Sequence, residues 1–273
     1  MSNNHPNTAA EEDRTANFYI TESYKTIRTN LQFSLAAAED KKVTAVTSYE
    51  PNAGKSITTA NVAITMAQTG AHVLLIDGDM RNASQHKIFG VTNTNGLSKL
   101  LSGLSKPDDT SFFRSVRPNL DLLPAGPIPP NPSELLCSKN MKKLLDALRE
   151  AYDFIFVDCP PVGVISDTLS LLSNAPNVVI VVRQRQTRHD DIKHSIEKIR
   201  AVGGVLLGVV ITDVADSDSI FGGRYGRYGK YGKYGKYGKY GRYGKYDKYS
   251  AYAKSGEMHY IGSSQANTQP EVK

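Results

Sequence analysis

"VTAVTSYEPNAGKSITTAN", residues 43–61, carries an uncharged run into a short Pro- and Gly-containing segment and then a Lys-Ser pair. Its first six residues are β-branched or small and uncharged. Such a run, bounded by turn residues, reads as a buried strand. Pro51, Asn52 and Gly54 then mark a tight loop, and a helix is expected over about 55–69. A strand that passes through a Gly-containing loop into a helix presents backbone N–H groups and a helix N-terminus to an anion. In that setting Gly54 and Ile57 contribute backbone to a phosphate cradle, Lys55 reaches the β- and γ-phosphates, and Ser56 offers its hydroxyl to Mg2+. The strict phosphate-loop pattern has another Gly where this chain has Tyr49, so "AGKS" alone also admits a plain strand–turn–helix.

Outward from this stretch the pattern repeats. "HVLLID" (72–77), "DFIFVD" (153–158), "NVVIVV" (177–182) and "GVLLGVVI" (204–211) are short, nearly continuous apolar runs. Helices are expected at 19–38, 133–151 and 189–202, and "LDLLPAG" suggests a further strand inside a Pro-rich irregular stretch, 105–132. Apolar strands alternating with helices predict an α/β fold: a parallel sheet covered by helices on both faces. Two of the strands end in acid. "LLIDGDMR" (74–81) carries Asp77 and Asp79, and "IFVDCPP" (155–161) carries Asp158. Ligands of open parallel sheets bind at the carboxyl ends of strands. Each Asp alone reads equally as a helix cap. Together, beside a Lys-Ser loop, the three predict a Mg2+–nucleotide site.

The charge is divided unevenly. The chain of 273 residues has a net charge of +6. Residues 222–254 hold ten Lys/Arg and one Asp, whereas residues 1–221 hold 22 Lys/Arg against 24 Asp/Glu. The basic character therefore belongs to the C-terminal segment, and the rest is nearly neutral; no specific nucleic-acid partner is expected. That segment, "GGRYGRYGKYGKYGKYGKYGRYGKYDKYSAY" (222–252), places tyrosine at every third position: Tyr225, Tyr228, Tyr231, Tyr234, Tyr237, Tyr240, Tyr243, Tyr246, Tyr249 and Tyr252. It has no Leu, Ile or Val to offset the entropy of ordering, so residues 216–273 are expected to form a disordered tail rich in Tyr, Gly and Lys. Residues 1–16 read as a polar leader with no signal-peptide h-region. No apolar run approaches the roughly 20 residues that span a bilayer. Cys137 and Cys159 lack metal-like spacing and imply no disulfide framework, which suits a reducing cytosol.

Strand–"GKS"–helix, then "LLIDGDMR", then "IFVDCPP" resembles the Walker A, A′ and B series of bacterial tyrosine kinases (BY-kinases), in particular the cytoplasmic kinases of Gram-positive capsular or exopolysaccharide operons. "GPIPPNPSELL" (126–136), "ESYKTIRTNL" (22–31) and the tyrosine-rich C-terminus are similar to family segments, and the resemblance covers about residues 19–215. It implies a P-loop NTPase-like kinase domain over 17–215 with an N-terminal oligomerisation helix at 19–38. It implies ATP and Mg2+ as cofactors, with Lys55 and the loop on the phosphates, Ser56, Asp79 and Asp158 around the metal, and Asp77 as acceptor of the tyrosine proton. Arg81 would support the phosphate or Asp79, or form a surface ion pair. Autophosphorylation of the ten tail tyrosines, control of polysaccharide synthesis and export, and a cognate phosphotyrosine phosphatase follow from the same resemblance. So do a homo-oligomeric ring contacted through Glu22, Lys25 and Arg28, and a separate transmembrane activator that recruits the cytoplasmic kinase to the inner face of the plasma membrane. Departures from the family are Tyr49 and Ala53 in the loop, "RNAS" at 81–84, and Thr212 where an adenine-contacting Asn is expected.

Two other readings compete. A ParA/MinD-like positioning ATPase shares the fold, but its extra loop lysine is Glu50 here. A non-catalytic nucleotide-binding scaffold would use the tail to bind polymers by charge and stacking.

Overall fold

The computed structural model describes residues 8–214 except 41 and 104–109, with side chains from Phe18 onward. The tail with its ten tyrosines, and residues 1–7 of the leader, lie outside the described residues. The chain divides into a body, Tyr24–Asp213, and a second unit made of residues up to Ser23 and from Val214. The described part of that second unit is the first half of helix α1 and Val214.

α1 runs over Thr8–Ala37. It therefore begins well before residue 19, inside the stretch read as leader. "TAAEEDRTAN" (8–17) lacks Gly and Pro, and its alanines and acids favour helix although they give it no apolar stripe. The body follows with β1 (Val43–Ser48), α2 (Lys55–Ala67), β2 (Val73–Asp77), two short helices α3 (Gln85–Ile88) and α4 (Leu97–Leu101), then β3 (Arg114–Arg117) and β4 (Leu120–Leu123). After these come α5 (Pro132–Leu136), α6 (Lys139–Ala151), β5 (Phe154–Asp158), α7 (Asp167–Leu171), β6 (Asn177–Arg183), α8 (His189–Ala201) and β7 (Val205–Thr212).

The strands form one sheet in the order β3-β4-β2-β5-β1-β6-β7. All neighbours pair in parallel except β3 and β4, an antiparallel edge with a register shift between Ser115 and Arg117. "RSVR" escaped the sequence reading because a four-residue run with an arginine at each end looks like loop; charge of this kind suits an edge strand. Every residue of β1 and β2 is buried. Alternate residues of a strand serve opposite faces. Val43, Ala45, Val178 and Ile180 join the core with residues of α6, α7 and α8. Val46 and Val179 instead share a groove with Ile27 and Leu31 of α1 and Val62 of α2. Helices thus cover both faces of the sheet.

The helix expected over 133–151 is two helices. Ser138 separates them: its hydroxyl donates to the Leu135 carbonyl at 2.7 Å and accepts from the Met141 N–H at 3.1 Å. One side chain closes α5 and caps α6, where the apolar spacing of Leu136, Met141, Leu144, Leu145 and Leu148 gave no sign of a break.

Among the described residues no helix is long and apolar enough to cross a membrane.

Candidate active site

The sheet order places β2, β5 and β1 side by side, all parallel. Their carboxyl ends therefore meet. Asp77 at the end of β2 is the register partner of Asp158 at the end of β5, and Val46 of β1 is the partner of Asp158 on the other side. This topology brings together acids 81 positions apart with the loop that follows β1.

That loop turns on Gly54, whose φ of 88° lies in the left-handed region open to glycine. Its close neighbour is Thr212 of β7, whose hydroxyl donates to the Ala53 carbonyl at 2.8 Å. Thr212 thus braces the loop from the position where an adenine-contacting Asn was expected. Glu50 accepts a hydrogen bond from the Thr187 hydroxyl, which ties the loop to the segment before α8. Tyr49 lies against the segment after β5, where the Gly163 N–H donates to its carbonyl at 3.1 Å. The Asp191 carboxylate holds the Tyr49 phenol above its ordinary pKa.

Lys55 opens α2 and is 9% exposed. Its Nζ lies 3.3 Å from Asp79 Oδ2, 3.4 Å from Asp158 Oδ1 and 3.1 Å from Ser56 Oγ. Burial alone would depress the Lys55 pKa, but the charges of Asp158 and then Asp79 outweigh it and hold the ammonium above its usual value. Asp79 is raised: burial dominates, against the opposing pull of Lys55. Asp77 is pushed up to about 8, by burial first and the Asp158 charge second, despite two backbone hydrogen bonds. Those bonds come from the Ser84 and Gln85 N–H groups, at 3.0 and 2.9 Å, and both end on Oδ2. Ile57 sits at the start of α2, 40% exposed, so that its side chain takes no part in the buried cluster.

The structure thus collects Lys55, Ser56, Asp77, Asp79 and Asp158 at one end of the sheet. Arg81 turns elsewhere. Its Nε and Nη2 grip the two oxygens of Asp167 at 2.8 and 3.2 Å, and Ser133 Oγ also donates to that carboxylate. In α1, Arg28 Nη1 donates to the Thr65 carbonyl of α2 at 3.2 Å, a contact within its own chain. The sequence reading missed Gln85. Its side-chain Nε2 donates to Asp158 Oδ2 at 2.8 Å and to the Ser56 carbonyl at 3.0 Å. The one local clue was its place eight residues after Asp77, next to the unusual "RNAS".

Fold and site together define a phosphate-loop nucleotide-binding protein. Residues 41–204 match the AAA domain family. The chain is 37% identical over 208 residues to a putative tyrosine-protein kinase CapB of Staphylococcus aureus, covering 76% of this chain and 90% of that protein. It is 37% identical over 206 residues to the tyrosine-protein kinase YwqD of Bacillus subtilis, covering 76% and 86%. The solved structure of the chimerical protein CapA2B2 superposes with a TM-score of 0.64 at 40% identity, over 69% of this chain and 82% of that one. The chain belongs to the bacterial tyrosine-protein kinases, and its enzyme class is protein-tyrosine kinase. That reading fits better than a positioning ATPase or a non-catalytic scaffold.

Proposed function

We propose that this kinase transfers the γ-phosphate of ATP to the tyrosines of its own C-terminal repeat, and that the modified tail regulates capsular or exopolysaccharide synthesis and export. The observation that carries the reading is the buried convergence of Lys55 Nζ on Asp79 and Asp158 beside Ser56 Oγ, at the start of a helix. Lys55 moves to the β- and γ-phosphates when nucleotide arrives, and the N–H groups of residues 54–57 cradle them. In its ionised form Asp77 takes the phenolic proton on Oδ1, a buried oxygen with no hydrogen-bond partner among the described residues, while Oδ2 holds the loop.

The residues fit Mg2+. It binds through one or two carboxylates and otherwise through water and substrate phosphates. Among the described residues no three His, Cys, Asp or Glu side chains form a cage, and Mg2+ does not require one. Ser56, Asp79 and Asp158 supply hard oxygen donors where a cationic Nζ already sits. When bound, Mg2+ neutralises phosphate charge during transfer.

Glu22, Lys25 and Arg28 of α1 form the contact of a homo-oligomeric ring in which each tail serves a neighbouring subunit. A separate transmembrane protein with a cytoplasmic tail activates the kinase and brings it to the inner face of the plasma membrane, and a phosphotyrosine phosphatase reverses the modification. The similarity to kinases of the CapB and YwqD type supports this setting.

A mixing experiment tests the proposal. Lys55→Met alone should carry no phosphotyrosine. Mixed with a chain lacking residues 222–254, it should become labelled on its tail. A Lys55→Met chain that labels itself at the wild-type rate would overturn the assignment of the phosphate loop.

A further inference from the structure

Of the buried polar side-chain atoms without a hydrogen-bond partner among the described residues, four fall between residues 77 and 86: Asp77 Oδ1, Ser84 Oγ, Gln85 Oε1 and His86 Nδ1. Gln85 stands at the centre of this group. It is fully buried. Its main-chain N–H holds Asp77 Oδ2, and its side-chain Nε2 reaches both Asp158 Oδ2 and the Ser56 carbonyl. One residue therefore joins the ends of β2 and β5 to the first turn of α2.

The orientation of the amide is forced. A carboxylate and a carbonyl oxygen can only accept, so the NH2 group must face both of them and donate its two hydrogens there. Reversing the amide would set three acceptor oxygens against one another. Oε1 consequently faces away from both, buried and without a donor among the described residues. The Asp158 carboxylate is likewise divided: Oδ2 is occupied by Gln85, and Oδ1 is the oxygen that lies 3.4 Å from Lys55 Nζ.

We propose that Gln85 is a positioning residue of the phosphoryl-transfer site. By occupying Oδ2 it fixes the carboxylate plane of Asp158 and offers Oδ1 to the cation that accompanies the nucleotide. By anchoring on the Ser56 carbonyl it ties the end of the phosphate loop to Asp158. Oε1 remains as an acceptor for a donor that arrives with the substrate. Residues that orient a metal ligand through a hydrogen bond change metal affinity by roughly 10- to 100-fold when removed.

The inference rests on the reading of Lys55, Ser56 and Asp158 as the nucleotide–metal site. Its test is the binding of fluorescent ADP to the full chain, first without divalent cation and then across a Mg2+ titration. Gln85→Met keeps the length and volume of the side chain but removes its donors and acceptor. The Mg2+ needed for half-maximal enhancement of ADP binding should rise about 10- to 100-fold, with Mg2+-free affinity and circular dichroism unchanged. A Mg2+ titration that superposes on wild type overturns the proposal. If Gln85→Met does not fold, Gln85→Asn decides on the same curve, because its shorter stem cannot reach both acceptors. Asp158→Asn run alongside separates the two levels. Loss of the Mg2+ effect in Asp158→Asn with none in Gln85→Met defeats the inference alone. No change in either variant defeats the site reading, and the inference with it.

Discussion

Asp77 has two oxygens in different circumstances. Oδ2 accepts from the Ser84 and Gln85 N–H groups, while Oδ1 is buried and has no hydrogen-bond partner among the described residues. Burial and the neighbouring Asp158 raise its pKa to about 8, far above the ~3.9 of an unfolded Asp. Between those values the folded chain binds the extra proton, so stability falls as pH rises from the unfolded to the folded pKa. Asp77→Asn keeps an acceptor for the two N–H groups and removes the titration. The nucleotide-free variant should therefore melt higher than wild type, by a margin that widens from pH 5 to pH 8, while tyrosine phosphorylation drops by at least ~100-fold. Melting curves across that range check the sign; a margin that shrinks with pH would refute it. The three acids were legible because charge at the end of an apolar run is conspicuous, and Lys55 and Ser56 because they follow Gly54 at the start of a helix. Gln85 was not: a neutral amide in "RNASQHK" has neither charge nor period. The Arg81 pairing was hidden because its partner, Asp167, lies 86 positions away.

At the scale of elements, the apolar runs located five adjacent strands, β2, β5, β1, β6 and β7, and the switch at Lys55 located α2. The breaks were harder to read. Ser138 divides a helix whose apolar spacing continues across it, and β3 hides behind its arginines. The phosphate loop shows why spacing alone could not reveal its support. It is held by residues from three other segments: Thr212 on Ala53, Thr187 on Glu50, and Gly163 on Tyr49. Gly163 is the tightest of these. A Cβ there would lie 2.4 Å from the Tyr49 carbonyl oxygen and 2.6 Å from its ring. The carbonyl is backbone, so it cannot yield without moving the loop. Gly163→Ala should lower phosphorylation by about 100-fold, the cost of roughly an ångström of misplacement, though it adds one methyl group outside the charged cluster. Kinetics on the purified variant check this; wild-type turnover would show that the loop does not depend on this contact.

For the molecule as a whole, the order β2-β5-β1 turns three distant motifs into one site, and the uneven charge of the sequence suggests what the site acts on. Parallel pairing was legible from the alternation of strands and helices. The order of strands was not, because it is fixed by crossovers that leave no local mark. The tyrosine repeat bears ten Lys/Arg and one Asp over residues 222–254, and each phosphate would add about −1.5 to −2 charge. About five phosphates would bring the segment near neutrality, and more would reverse its sign, weakening its attraction to the acidic site. We propose that the Lys55–Asp79–Asp158 site phosphorylates this repeat. Its most direct test is to incubate the full chain with labelled ATP, Mg2+ and an activating cytoplasmic peptide, then map the label by residue. Phosphotyrosine should concentrate between Tyr225 and Tyr252 and be absent from Lys55→Met. Phosphate released to solvent from a chain that carries no phosphotyrosine in that stretch would contradict it.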